Sequence, residues 1–310
     1  MSIQTSQTPP VTRPSLFQRI RQSDLWWSFT HSKTAMFSAA LLAILILTAL
    51  FAPLIAPQNP YDGAALDMWK AELPPVWEES GEWPYLLGTD TQGRDMLSAI
   101  LYGTRISIVI GIASVALSLL IGMSAGLIAG YFGGFIDNLV SRLMDLILAF
   151  PYLLFSIALI SVVPVTTAWR IGVVVGVISF FSWPYIGRIV RGQTLSLRER
   201  EFVEAARSVG AGPVRILFRE LLPNLVAPIL VYATLVIPTN IVFEASLSFL
   251  GVGVLPPTPS WGRLLSDAVN FYTYDPVYMF VPGLAIFIMV LAFNLFGDGL
   301  RDALDPKANR

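Results

Sequence analysis

Six apolar runs, each near the length that crosses a bilayer, alternate along the chain with polar stretches of very unequal size. They fall at about residues 35–56, 104–130, 138–163, 170–190, 226–250 and 277–296. About 20 apolar residues in a helix span the hydrocarbon layer. The pattern therefore predicts an all-α polytopic membrane protein with six transmembrane helices. Pro53 and Pro57 close the first run, while Pro151, Pro184, Pro228, Pro238 and Pro282 sit inside later ones. Kinks at such positions are tolerated where neighbouring helices satisfy the freed carbonyls. Small residues recur along the second run (Gly111, Ala113, Ser114, Gly122, Ala125, Gly126 and Gly130), as close helix packing requires.

Between the fourth and fifth runs lies a polar, arginine-rich island. Residues 197–209 carry good helix formers with Glu201 and Glu204 near the start, which suits the helix dipole. Gly210 is placed to end that helix in the left-handed conformation. Gly212-Pro213 restarts the chain, and residues 214–222 predict a second short helix that Pro223 stops.

Charge gives the orientation. With both termini inside, the inner segments hold fifteen Lys and Arg against five outside (Lys70, Arg94, Arg105, Arg170 and Arg263). Positive residues favour the cytoplasmic side. The expected topology is N-in and C-in, with the island in the cytoplasm. Residues 1–34 form a cytoplasmic segment with a disordered start and an interfacial piece carrying Trp26, Trp27 and Phe29. The first transmembrane helix follows at 35–56 and is expected to be an uncleaved anchor. An external loop covers 57–103, a five-helix core 104–297 contains the island at 197–224, and a cytoplasmic tail covers 298–310.

The composition agrees. Hydrophobic residues make up 55% and charged residues 13%, against about 25% charged in soluble domains. The absence of cysteine removes thiolate metal sites, disulfides and cysteine nucleophiles. His31 is the single histidine and lies in a basic lead-in to the first run, a poor foundation for a triad or a metal site. No Gly-x-x-x-x-Gly-Lys-Ser/Thr phosphate loop occurs.

Three further sets of residues stand out. In the external loop, Gly88, Asp90, Gly93, Arg94 and Asp95 suit turns and a cap for a helix starting near Met96; carboxylates around an arginine are a weak metal signal, so a structural role is expected. The loop also holds Trp69, Trp77, Trp83 and several acids, and reads either as a cap over the bundle or as a docking surface. In the fifth run, Asn240, Glu244 and Ser248 share one helix face. Charged groups within spans face the interior. The stripe reads either as part of a path for solute or as a buried hydrogen-bonded set. Asp145, in the third run, is expected to be solvated or paired with Arg142.

The order Glu204-Ala205-Ala206, Gly210, Leu222-Pro223 resembles the coupling segment of permease subunits of bacterial ABC importers. Residues 87–95 (LGTDTQGRD), 244–262 (EASLSFLGVG running into PPTPSWG) and 294–306 (NLFGDGLRDALDP) narrow the resemblance to the C-type permease of the dipeptide/oligopeptide/nickel group, over about residues 26–306. One departure is Glu220, where the general pattern has an apolar residue. The resemblance implies a type I (MetI-like) importer permease in a bacterial inner membrane, non-catalytic and without a cofactor of its own. Glu201, Glu204, Ala205, Ala206, Gly210, Leu222 and Pro223 would contact the ATPase. ATP and Mg would sit on two separate ATP-binding subunits. A second, homologous permease and an external substrate-binding protein would complete the assembly, which has no nucleic-acid partner. An ion-coupled secondary transporter is the alternative; against it, no inverted repeat is visible.

Overall fold

The computed structural model describes residues 24–63, 66–163 and 167–304. The expected disordered start, at 1–23, and the last residues of the tail, 305–310, lie outside the described residues. Among the described residues every regular element is helical, apart from one isolated bridge between Thr89 and Asp95.

A short helix α1 (Asp24–His31) leads into α2 (Lys33–Leu50), and a single turn α3 (Ala52–Ile55) follows. After the loop that follows α3 come α4 (Met96–Phe132), α5 (Gly134–Ala149), α6 (Tyr152–Val162), α7 (Thr167–Leu197) and α8 (Glu201–Ser208). The long helix α9 runs through Pro213–Phe249; α10 (Trp261–Ala268) and α11 (Pro276–Leu304) complete the chain. Five helices are long and apolar enough to cross a membrane, and a sixth span exists if the bent pair α5–α6 is counted as one.

The axis of the bundle is the α4–α7 pair. Along α4, Gly122, Gly126 and Gly130 are one turn apart and face the backbone of α7. A Cβ on Gly126 would lie 2.6 Å from the Gly187 carbonyl oxygen, and one on Gly122 would lie 2.7 Å from that of Trp183. The two backbones approach closely because neither glycine carries a side chain. Ser179 Oγ of α7 donates to the Ser114 carbonyl at 3.0 Å, and Ser118 Oγ donates to the Ser179 carbonyl at 3.3 Å. Helix α9 packs on both members of this pair, α11 packs on α9, and α2 lies against α11. Phe29 of α1 meets Phe296 edge-on, with ring centroids 5.7 Å apart.

The helix expected near Met96 begins there, eight residues before the second apolar run, because the side chain of Asp95 accepts from Ser98 N at 2.7 Å and caps it. Two expectations are corrected. The third span is broken: α5 and α6 meet at 86°. Pro151 cannot donate a backbone hydrogen bond, and Phe150 before it is extended (φ −80°, ψ 142°), as the proline ring demands. The second island helix does not stop at Pro223. It continues into the fifth span through a wider turn, a π-helical stretch at Ile216–Leu221 in which Leu222 N donates to the Leu217 carbonyl. The π turn places the proline at the start of the following α-helical stretch, where its missing N–H costs little. Asn224 Nδ2 donates to the Glu220 carbonyl at 2.6 Å, satisfying an oxygen there.

Candidate functional site

The island forms a two-faced knob at one end of the bundle. On its inner face Val203 is fully buried against a cluster that includes Ile216, Leu221 and Leu225. Arg207 lies over the Tyr131 ring at 5.6 Å, tying α8 to the end of α4. Gly210 has φ +82°. Ala211 N donates to the Ala206 carbonyl at 3.0 Å and Gly210 N to the Arg207 carbonyl at 2.9 Å, the paired bonds of a Schellman ending. The outer face is open. Glu201, Glu204, Ala205, Gly210 and Pro223 are exposed, while Ala206 and Leu222 are half-buried. Val209, Val214 and Phe218 join them, with Val209 79% exposed. Val209 lies between helices, and Val214 and Phe218 stand in the first turns of α9. Exposed apolar patches mark protein or membrane contacts.

The loop before α4 is built around a buried ion pair. Arg94 Nε donates to Asp90 Oδ2 at 2.6 Å, and both residues are almost wholly buried. Asp90 Oδ1 accepts from Arg94 N and Gln92 N, both at 2.9 Å. Arg94 Nη1 donates to the Pro257 carbonyl at 3.3 Å, linking this loop to the one before α10. Gly88 and Gly93 take φ +81° and +73°, and a Cβ on either would overlap a backbone carbonyl. Burial pushes the Asp95 carboxyl above its ordinary value, with the Ser98 hydrogen bonds opposing. Trp69, Trp77 and Trp83 are exposed.

Asn240, Glu244 and Ser248 are all buried, and each is engaged within the chain. Ser248 Oγ and Ser260 Oγ donate to Glu244 Oε1 at 2.7 and 3.0 Å, and Ser107 Oγ donates to Oε2 at 3.4 Å. One carboxyl thus ties α9 to α4 and to the start of α10. Ser182 Oγ donates to Asn240 Oδ1 at 3.0 Å, and Asn240 Nδ2 donates to Ser114 Oγ at 2.9 Å. Beside this set lies a cavity of about 570 Å³ between the α5–α6 elbow, α7, α9 and α11. Of the three residues, Asn240 alone lines it. A Glu244→Leu chain is expected to lose about 2–3 kcal/mol, because three hydroxyls lose their acceptor in a dry interior. Glu244→Gln, which keeps one oxygen, is expected to lose less. Thermal unfolding of the detergent-purified protein measures both.

Asp145 is solvated, as one of the two expectations had it, and is not paired with Arg142. Its exposed carboxylate accepts from Arg188 Nη2 of α7 at 2.6 Å, because α5 packs its charged side on α7 rather than along itself. Asp137 pairs with Arg191 in the same interface. Sequence reasoning also missed Arg170, whose guanidinium donates to the Val252 and Gly253 carbonyls at 2.7 and 3.0 Å. It missed the cavity too, whose walls come from elements far apart in sequence. The aromatic residues flanking Pro151 were the one available signal.

Comparison with known proteins converges on one family. Residues 122–310 match the binding-protein-dependent transport system inner membrane component, and residues 22–75 match the N-terminal transmembrane domain of oligopeptide transport permease C. The di/tripeptide transport system permease protein DppC of Pseudomonas aeruginosa is 40% identical, over 96% of each chain. The dipeptide permease DppC of Haemophilus influenzae is 41% identical over 92% of this chain and 94% of its own. The glutathione transport system permease protein GsiD of Escherichia coli is 40% identical over 96% and 94%. Among solved structures, an inward-facing form of the MetNI methionine ABC transporter superposes with a TM-score of 0.55 at 20% identity, covering 68% of this chain and 98% of that one. That likeness concerns the fold. With the family match and the relatives' identity, it makes this chain a MetI-like permease, multi-pass in a bacterial inner membrane and without an active site of its own. The chain belongs to the family of binding-protein-dependent transport system inner membrane components.

Proposed function

We propose that this chain is one of two permease subunits through which an ATP-driven importer moves di- or oligopeptides, or a related small solute, into the cell. Family membership brings an ATPase and a substrate-binding component. The peptide class rests on the relatives, which are named for di- and tripeptide and for glutathione transport. The observation that carries the coupling role is the open outer face of the island. Ala205 and Ala206 leave a shallow surface there, flanked by exposed Val209, Val214 and Phe218, and Val203 anchors it inward. A cleft on an ATPase subunit is its proposed partner, with ATP and Mg held by that subunit. The surplus of Lys and Arg on the island side supports an N-in, C-in orientation. In this orientation the Asp90–Arg94 loop and α10 face the binding protein.

The chain, expressed with a second permease, two ATPase subunits and a loaded binding protein, is expected to copurify with the ATPase and to take up peptide only when ATP is hydrolysed. Uptake driven by a proton or sodium gradient without ATP would overturn the proposal.

A further inference from the structure

The cavity beside Asn240 is a feature the coupling role does not use. It sits near the middle of α7 and α11, under the break between α5 and α6. Its wall holds three tyrosines (Tyr152, Tyr185 and Tyr232), two asparagines (Asn240 and Asn294) and several hydroxyls, and it contains no charged side chain. Asn240 has its amide directed by Ser182 and Ser114. Among the described residues, neither the Asn294 amide nor the three tyrosine hydroxyls have a partner within the chain. Hydrocarbon cannot satisfy such groups, and unpaired polar atoms at membrane depth are costly. These groups are accessible from the cavity and offer donors and acceptors to water or a polar solute there.

The elbow above it is held by aromatic contacts. Tyr152 meets Phe243 of α9 edge-on at 4.9 Å, and Phe155 meets Phe181 of α7 at 5.8 Å. Both arms of the elbow contribute to the wall, Ile147 and Leu148 from α5 and Leu153 from α6. A volume of about 570 Å³ lies within the range of small-molecule sites.

We propose that the cavity beneath the Pro151 elbow is a substrate subsite that reads the uncharged parts of a short peptide, its backbone amides and its side chains, and not its charged termini. The inference rests on the permease role. Amide and hydroxyl groups offer donors and acceptors to a peptide bond, and the aromatic rings offer apolar surface to a side chain. A bare ammonium or carboxylate would find no counter-charge here and would stay solvated, so the site cannot trap its cargo through the termini.

The test uses the assembled transporter in proteoliposomes with saturating, loaded binding protein, and dialanine and diphenylalanine as probes. Asn294→Leu is expected to lower ATP-driven uptake of both about tenfold, one lost hydrogen bond to the passing solute. Tyr185→Leu is expected to change the ratio of diphenylalanine to dialanine uptake about fivefold, which a purely structural role would leave unmoved. Because the chain has no cysteine, Thr239→Cys gives a single label site in it. A water-soluble maleimide is expected to label it, and dialanine to protect it. ATP-driven uptake in the wild type, together with unchanged uptake and ratio in both variants and no protection, overturns the subsite and leaves the permease role standing. A wild-type assembly without ATP-driven uptake removes the permease role, and the subsite with it.

Discussion

Gly210→Asp is expected to cut ATP-driven uptake at least tenfold while the chain still inserts and packs. The residue takes φ +82°, in the left-handed region that an L side chain enters at a cost of about 1 kcal/mol or more. Nothing lies within 4 Å of a Cβ built there, so no clash disturbs the bundle. The damage is local. Either the Schellman ending opens and α8 frays back towards Ala206, or the turn to Pro213 is redirected. In both cases the exposed patch around Ala205, Val209 and Val214 loses its fixed shape, and the added carboxylate faces the negative end of the helix dipole. Binding to a rigid cleft depends on such pre-organisation. Gly210→Asn, whose side chain tolerates the left-handed region, is expected to retain most of the uptake. The readouts are ATPase subunit copurified per permease, and uptake per copurified complex. Gly210→Asp with wild-type values for both would remove α8 from the coupling role.

Much of this architecture is legible in the sequence because membrane insertion converts apolar length directly into helices. The spans, the left-handed Gly210 and the helix beginning near Met96 all follow from local rules. What escaped depends on partners distant in the chain. Pro151 was visible as a kink, but a proline alone does not specify its angle; the contacts of Tyr152 with Phe243 and of Phe155 with Phe181 accompany an 86° break. Pro223 reads as a stop by the ordinary α-helical rule. A π turn, which shifts the donor pattern by one residue, is not encoded in any single residue type. Asp145 had a near candidate in Arg142, and only the packing of α5 on α7 presents Arg188 instead. The Asn240 and Glu244 face was legible as a buried polar stripe. Which of its members touches the cavity depends on where α4 and α10 supply serines.

A second large effect is expected at the centre of the bundle. Gly126→Leu should leave no folded chain, whereas Gly111→Ala should still fold, at a smaller cost. Both glycines lie on α4 and both are buried, so burial alone does not distinguish them. Their neighbours do. A Cβ on Gly126 would sit 2.6 Å from the Gly187 carbonyl oxygen and 2.9 Å from Arg191 N, both backbone atoms of α7 that cannot rotate away. A Cβ on Gly111 would meet Ile241 Cγ1 at 2.7 Å, Ile241 Cδ1 at 3.1 Å and Ile237 Cγ2 at 3.4 Å, side-chain atoms of α9 that yield only by a small shift, yet without moving a backbone. At Gly126 even Ala must push two helices apart, at a cost of about 1–3 kcal/mol for overpacking. A Leu side chain must also break the neighbouring contacts at Gly122 and Gly130, since all three share the α7 interface. The serine bonds at Ser114, Ser118 and Ser179 then lose register, and with them the support of Asn240. Yield of monodisperse protein in detergent, and protease resistance in membranes, separate the cases: Gly111→Ala somewhat below wild type, Gly126→Ala lower, Gly126→Leu absent. Equal yields for Gly126→Leu and Gly111→Ala would show that α4 and α7 do not pack backbone to backbone in the membrane.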